Sequence, residues 1–212
     1  MTSGPTDPIY DPVLKKMITK PSHTKARTYG YSLANSVIEA FHAGDFERSS
    51  GSPITVHSKE IELGLENFML TLGTLLGVID TDPKFSLMPP FVRYLSEAAF
   101  IKIGDASITG VPGELYPEIA VGGIENPEGA DFEMAPQEVP HLRSQYSEKL
   151  NLMVNLANDS IGYIIPKSEW DNEAPWIYGE TEETYGEVVS LGPNTAPEIH
   201  ENIIKLIEES KN

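Results

Sequence analysis

Three short segments of this 212-residue chain carry side chains able to do chemistry. The first is VPGE at 111–114. Pro112 and Gly113 end an apolar run sharply and leave the Glu114 carboxylate at the C-terminal mouth of a strand, where α/β proteins build their sites. A carboxylate there can ligate a metal or serve as a general base. It can equally be a first-turn helix glutamate favoured by the macrodipole, because LYPEIA follows. The second segment is NDSIGY at 158–163, directly after an apolar run. Several polar groups meet there, and Gly162 lets the backbone pass close to a neighbour; an ordinary Asn-Asp turn is the plainer reading. The third is Tyr185-Gly186-Glu187, followed by SLGP at 190–193. It leads into the last helix and reads either as part of a site or as loop chemistry that packs that helix.

Other chemistries are excluded by their missing residues. There is no cysteine, hence no disulfide, thiol nucleophile or Cys-based metal site. No G-x-S-x-G elbow, H-E-x-x-H pair, Walker A loop or G-x-G-x-x-G turn occurs. The five histidines, at 23, 42, 57, 141 and 200, fall at no ligand spacing, and each alone reads as structural or surface. With 15 Lys+Arg against 32 Asp+Glu the formal charge is −17, which disfavours a phosphate backbone or an anionic membrane as partner. Most of that acidity lies toward the C-terminus and reads as a solvated face.

The elements that must position these segments follow from periodicity. Ser22 as N-cap, the stripe Ala26, Tyr29, Leu33, Val37, Ala40, Phe41 and a stop at Gly44 predict a helix over 22–44. Ile54, Val56, Ile61 and Leu63 alternate as in strands. Residues 64–77, GLENFMLTLGTLLG, predict a buried helix too short to cross a bilayer. FIKIGDASITGV at 100–111 predicts a hairpin turning at Gly104-Asp105. Residues 122–147, rich in Gly, Pro and acids, read as a long surface excursion. LNLMVNLA at 150–157 reads as a buried central strand. Ile199, Ile203, Leu206 and Ile207 predict an amphipathic helix over 196–209, capped by Asn194 or Thr195. Interleaved strands and helices predict an α/β class with a mixed sheet, or α+β if the hairpin dominates. No stretch approaches 18 apolar residues, so no membrane span is expected. Residues 1–21 read as a linker or loop-like start; they show no secretory n- or h-region, and Met1 reads as internal to a longer product.

Taken in order, VPGE at 111–114, NLANDSIGY at 155–163 and YGEVVSLGP at 185–193 resemble the neutral/alkaline non-lysosomal ceramidase family. That family carries P-G-E, then G-L-x-N…Y after a buried strand, then Y-E…S…G-P before a helix. The resemblance covers about residues 95–207. It implies that residues 22–212 form the C-terminal half of a ceramidase-like α/β domain. It also implies a zinc-dependent hydrolase acting on the amide of an N-acyl sphingoid base or a related lipid-like substrate, the metal polarising the carbonyl and activating water. Glu114 and Tyr163 take the places of two zinc ligands, and Asn158 that of a residue beside them that holds the loop or a substrate polar group. The family's two histidine ligands and its active-site serine and arginine lie in a half that this chain does not contain. The resemblance therefore implies a missing N-terminal half or another chain as partner to supply the histidines, and no turnover by the chain alone. The family's second tyrosine in this segment is replaced, with Ser160 in its place. A non-catalytic α/β binding module that has lost the metal is the alternative. A bare apolar patch beside Glu114, or a homo-oligomer that covers it, is expected if part of the domain is missing.

Overall fold

The computed structural model describes residues 7–44, 51–79, 83–182 and 184–211. The chain divides into two compact units, residues 1–50 and 51–212. Residues 1–6 of the loop-like start lie outside the described residues. Further along that start, β1 (Ile9–Asp11) and β2 (Lys16–Ile18) pair as an antiparallel hairpin. Asp11 closes its turn, accepting the Val13 and Leu14 N–H groups and the Thr28 hydroxyl. The helix α1 (His23–Ala43) has the caps that its sequence announces: the Ser22 hydroxyl accepts the Lys25 N–H at 3.1 Å, and Gly44 is left-handed. A cavity of about 610 Å³ lies within this unit between the hairpin turn and α1.

The second unit is built on a mixed sheet. β3 (Ile54–Gly64), α2 (Phe68–Leu75), β4 (Lys84–Phe85), β5 (Val92–Ile103) and β6 (Ala106–Gly110) follow in order. Then come β7 (Glu114–Leu115), α3 (Pro117–Val121), β8 (Leu150–Val154), β9 (Tyr163–Ile164), α4 (Tyr185–Val188) and α5 (Thr195–Glu209). The strand order is β3-β5-β6-β8, with β4 also on β5. β6 and β8 are parallel, and the other pairs of this sheet are antiparallel. This is an α/β fold with a mixed sheet packed against helices, as the interleaved pattern predicts. The two alternating runs predicted near residue 54 and residue 61 are one long strand, β3.

The pleat decides which face packs. Leu63, Ile61 and Phe100 point to one face and are buried under α5, whose Ile199, Ile203, Leu206 and Ile207 are also buried. On the opposite face the register aligns three rows of four residues: Ile54–Ile103–Ala106–Leu150, Val56–Ile101–Ile108–Leu152 and Ser58–Ala99–Gly110–Val154. These rows contain no charge, and Ile54, Val56, Leu150, Leu152 and Val154 are exposed. Apolar side chains of the edge strands β3 and β8 are thus exposed on this face, which becomes charged farther along at Glu60, Glu97, Glu62 and Arg93.

Three expectations are corrected. Residues 150–157 do not form a central buried strand. β8 spans only Leu150–Val154 and has one strand partner among the described residues, so its side chains alternate between half-buried and exposed. The helix expected over 64–77 begins at Phe68, because Gly64 still belongs to β3 and Asn67 is the N-cap. That helix is mostly exposed: Phe68 is 74% exposed and Met69, Leu75 and Leu76 are exposed with it, while Leu65 before the cap is buried, Leu70 packs against the core and Thr74 is buried. The 122–147 stretch is not wholly a surface excursion either, since Ala130, Glu138 and Leu142 are buried in it.

Candidate functional site

The backbone around VPGE explains how its glutamate is placed. Val111 N–H donates to the Val154 carbonyl at 2.9 Å, and Ala157 N–H returns to the Val111 carbonyl at 2.9 Å. Ile161 N–H reaches the Pro112 carbonyl (3.0 Å), Glu114 N–H the Gly162 carbonyl (2.9 Å) and Tyr116 N–H the Ile164 carbonyl (3.1 Å). This lacing makes β7 and β9 a parallel pair in which Glu114 lies directly beside Tyr163. Directly paired residues present their side chains on one face. Here the Tyr163 hydroxyl donates to the Glu114 carboxylate, and the negative charge of Glu114 is the main reason the phenol is held above its usual range, with burial and the hydrogen bond adding. Glu114 belongs to a strand and not to a helix; the first-turn acid of α3 is Glu118.

Gly162 makes the close approach possible. Its φ is +87°, and a Cβ there would run into the Val189 carbonyl. The 158–163 segment and the 185–193 segment therefore touch through backbone, which only glycine permits at this point. Tyr163 lies edge-on between Tyr116 and Tyr185, with ring centres 6.2 and 6.0 Å away. The Tyr116 hydroxyl is pushed up to about 12 by burial first, then by the charges of Glu187 and Tyr163. It stands 2.7 Å from where a Cβ on Gly186 would be.

The three sequence segments thus meet. Asn158 is at a left-handed turn (φ +70°), exposed, and hydrogen-bonds to neither Glu114 nor Tyr163 among the described residues. Its neighbour Asp159 anchors the turn, accepting the Tyr94 hydroxyl at 3.2 Å and the Ser96 hydroxyl at 2.8 Å. Of the histidines, His200 is buried with its Nε2 2.9 Å from the Pro140 carbonyl, and His141 Nδ1 is 3.2 Å from the Ala120 carbonyl; both are structural contacts. Among the described residues no three His, Asp or Glu side chains are placed to hold a metal ion. The two oxygens of Glu114 and Tyr163 are fewer than the three protein ligands that a catalytic zinc needs, so these residues do not by themselves make a zinc site.

Sequence reasoning missed several residues that shape this site. Asn67 caps α2 and also ties down the third segment: its Nδ2 donates to the carbonyls of Val188 (3.0 Å) and Ser190 (3.1 Å), while the Glu66 and Asn67 N–H groups meet the Leu191 carbonyl. Its position just ahead of an apolar run was the available signal. Tyr116 and Asp171 had none. An apolar cavity of about 310 Å³, lined by Leu65, Leu70, Tyr94, Ile161, Gly162 and Val189, reaches the residue next to Tyr163.

No protein-family model matches the chain, and no curated protein matches it. Among solved structures it is similar to neutral ceramidase from Pseudomonas aeruginosa, with 11% identity and a TM-score of 0.45 over 88% of this chain. The likeness is distant, and it covers 33% of that enzyme, so this chain spans about a third of the length of the structure it matches.

Proposed function

We propose that this chain is the C-terminal part of a zinc-dependent, ceramidase-like hydrolase that acts on an N-acyl amide or a related lipid-like substrate. The observation that carries the reading is the Glu114–Tyr163 pair, a carboxylate and a phenol set side by side by parallel register in the two-stranded β7–β9 sheet. In this reading the two oxygens are one half of a zinc site. The histidines that complete it come from the remaining half of the domain or from another chain, and residues 22–212 belong to one ceramidase-like domain. Asn158 contacts a polar group of the substrate. The exposed apolar side chains of β3 and β8 support the same reading, because a layer from the completing part would bury them.

The test has two arms. The isolated chain should bind zinc weakly and hydrolyse no N-acyl amine. Supplying the completing half of the domain, on the same or a second chain, should restore hydrolysis of an N-acyl sphingoid base, and Glu114→Gln or Tyr163→Phe should abolish it while the two halves still associate. Tight one-to-one zinc binding by the isolated chain, or full activity of both variants, would overturn the reading.

A further inference from the structure

The apolar cavity of about 310 Å³ is walled by two of the three site segments, through Ile161, Gly162, Val189 and Leu191, and by α2. Leu70 and Thr74, four residues apart, put one face of α2 on it. Past the helix end the chain turns back. The Val78 and Ile79 N–H groups both reach the Gly73 carbonyl, at 2.9 and 3.2 Å, and Ile79 joins the cavity wall. Gly73 leaves the room for it, since a Cβ there would lie 2.9 Å from Ile79 Cδ1. No charged side chain among the described residues lines the cavity, although the chain carries 32 acids. The Tyr94 hydroxyl in the wall is committed to Asp159 at 3.2 Å. Backbone ties the cavity to the candidate site: the Gly162 carbonyl accepts the Glu114 N–H at 2.9 Å, and Tyr163 is the next residue.

An apolar space of this kind gains from an apolar occupant and offers a charged one no partner. We propose that the cavity is the tail subsite of the Glu114–Tyr163 site, taking one unbranched alkyl chain of a substrate whose polar head lies at that pair. The proposal rests on the reading of the pair as half of a hydrolytic centre. It adds a limit of length. An apolar cavity of about 150 Å³ in another protein takes benzene, so a six-carbon ring would fill only about half of this one. At the same room per carbon, the cavity holds a chain of about 12 carbons. The end of a longer chain stays outside, in water or against the exposed face of α2 at Leu75 and Leu76.

Alkyl maltosides with tails of eight, ten, twelve and fourteen carbons test this on the full chain, below their micelle concentrations, by titration calorimetry without zinc. One molecule should bind per chain. Affinity should rise by up to about fourfold per added methylene and level off near twelve carbons. Thr74→Phe and Val189→Phe fill the cavity from different walls. Each should weaken the twelve-carbon probe by about tenfold or more and bring the levelling-off to shorter tails. Leu75→Lys, on the exposed face of α2, should leave binding unchanged. Far-UV circular dichroism checks that each variant folds, and one folded filling variant is enough to decide. The proposal is overturned if the parent shows no saturable binding, if affinity still climbs at fourteen carbons, or if folded filling variants bind as the parent does. Loss of binding in Leu75→Lys overturns it too, because the probe then sits on the outer face. Hydrolysis plays no part in these titrations. Failed binding therefore strikes the tail subsite alone, whereas full activity of Glu114→Gln and Tyr163→Phe in the completed enzyme would strike the pair with alkyl binding intact.

Discussion

Replacing Asn67 by alanine should cost about 3 kcal/mol of stability and free the segment that presents Tyr185 and Glu187. Two losses add. The Oδ1 atom accepts the Met69 and Leu70 N–H groups at 3.0 and 3.1 Å, and losing a side-chain N-cap costs about 1 kcal/mol. The Nδ2 group donates to the carbonyls of Val188 and Ser190. Val188 is exposed and water can replace the donor there, but Ser190 is fully buried, and its unpaired carbonyl costs about 2 kcal/mol. The Glu66 and Asn67 N–H bonds to Leu191 survive the substitution, so the unit should still fold. Urea unfolding reads the change directly: with m near 2–3 kcal/mol/M, the midpoint should fall by about 1 M at constant m. Asn67→Asp separates the two contributions. It keeps the cap but replaces the donor with a carboxylate oxygen facing two carbonyls, so it should be at least as unstable as the alanine variant. An alanine variant within about 0.5 kcal/mol of the parent, or an aspartate variant as stable as the parent, would refute the assignment of Asn67 as the tie between α2 and the 187–191 segment.

Two further outcomes follow from packing. Gly162→Ala sets a side chain at φ +87° and against the Val189 carbonyl, so it should destabilise by at least about 2 kcal/mol, read by urea unfolding, with faster amide exchange through 185–193. Val56→Lys, exposed on β3, should change stability by less than about 0.5 kcal/mol while lowering the fluorescence of a hydrophobic dye; Phe100→Lys, in the adjacent strand but facing α5, should unfold the unit.

Much of the local structure was legible in the chain because its causes are local. Ser22 and Gly44 bound α1 through their own hydroxyl and backbone conformation. The three- and four-residue spacing of Ile199, Ile203, Leu206 and Ile207 defines the buried stripe of α5. Gly104-Asp105 turns the hairpin with Ile103 opposite Ala106. The quoted motifs also marked Glu114 and Tyr163, although nothing local says that residues 49 positions apart share a register. That pairing exists because the backbone amides of 111–116 find their partners in 154–164, a property of the assembled strands. Burial was the least legible quantity. The apolar runs at 68–76 and 150–157 look like core in sequence, yet whether such a run is covered depends on which neighbour packs on it, and β8 has one strand partner among the described residues. Asp171 reads as one more acid in an acidic tail, and Glu187 as part of a candidate segment, until the chain folds both away from water. Only that placement, by penalising the charged form, raises both carboxyl groups above their usual range.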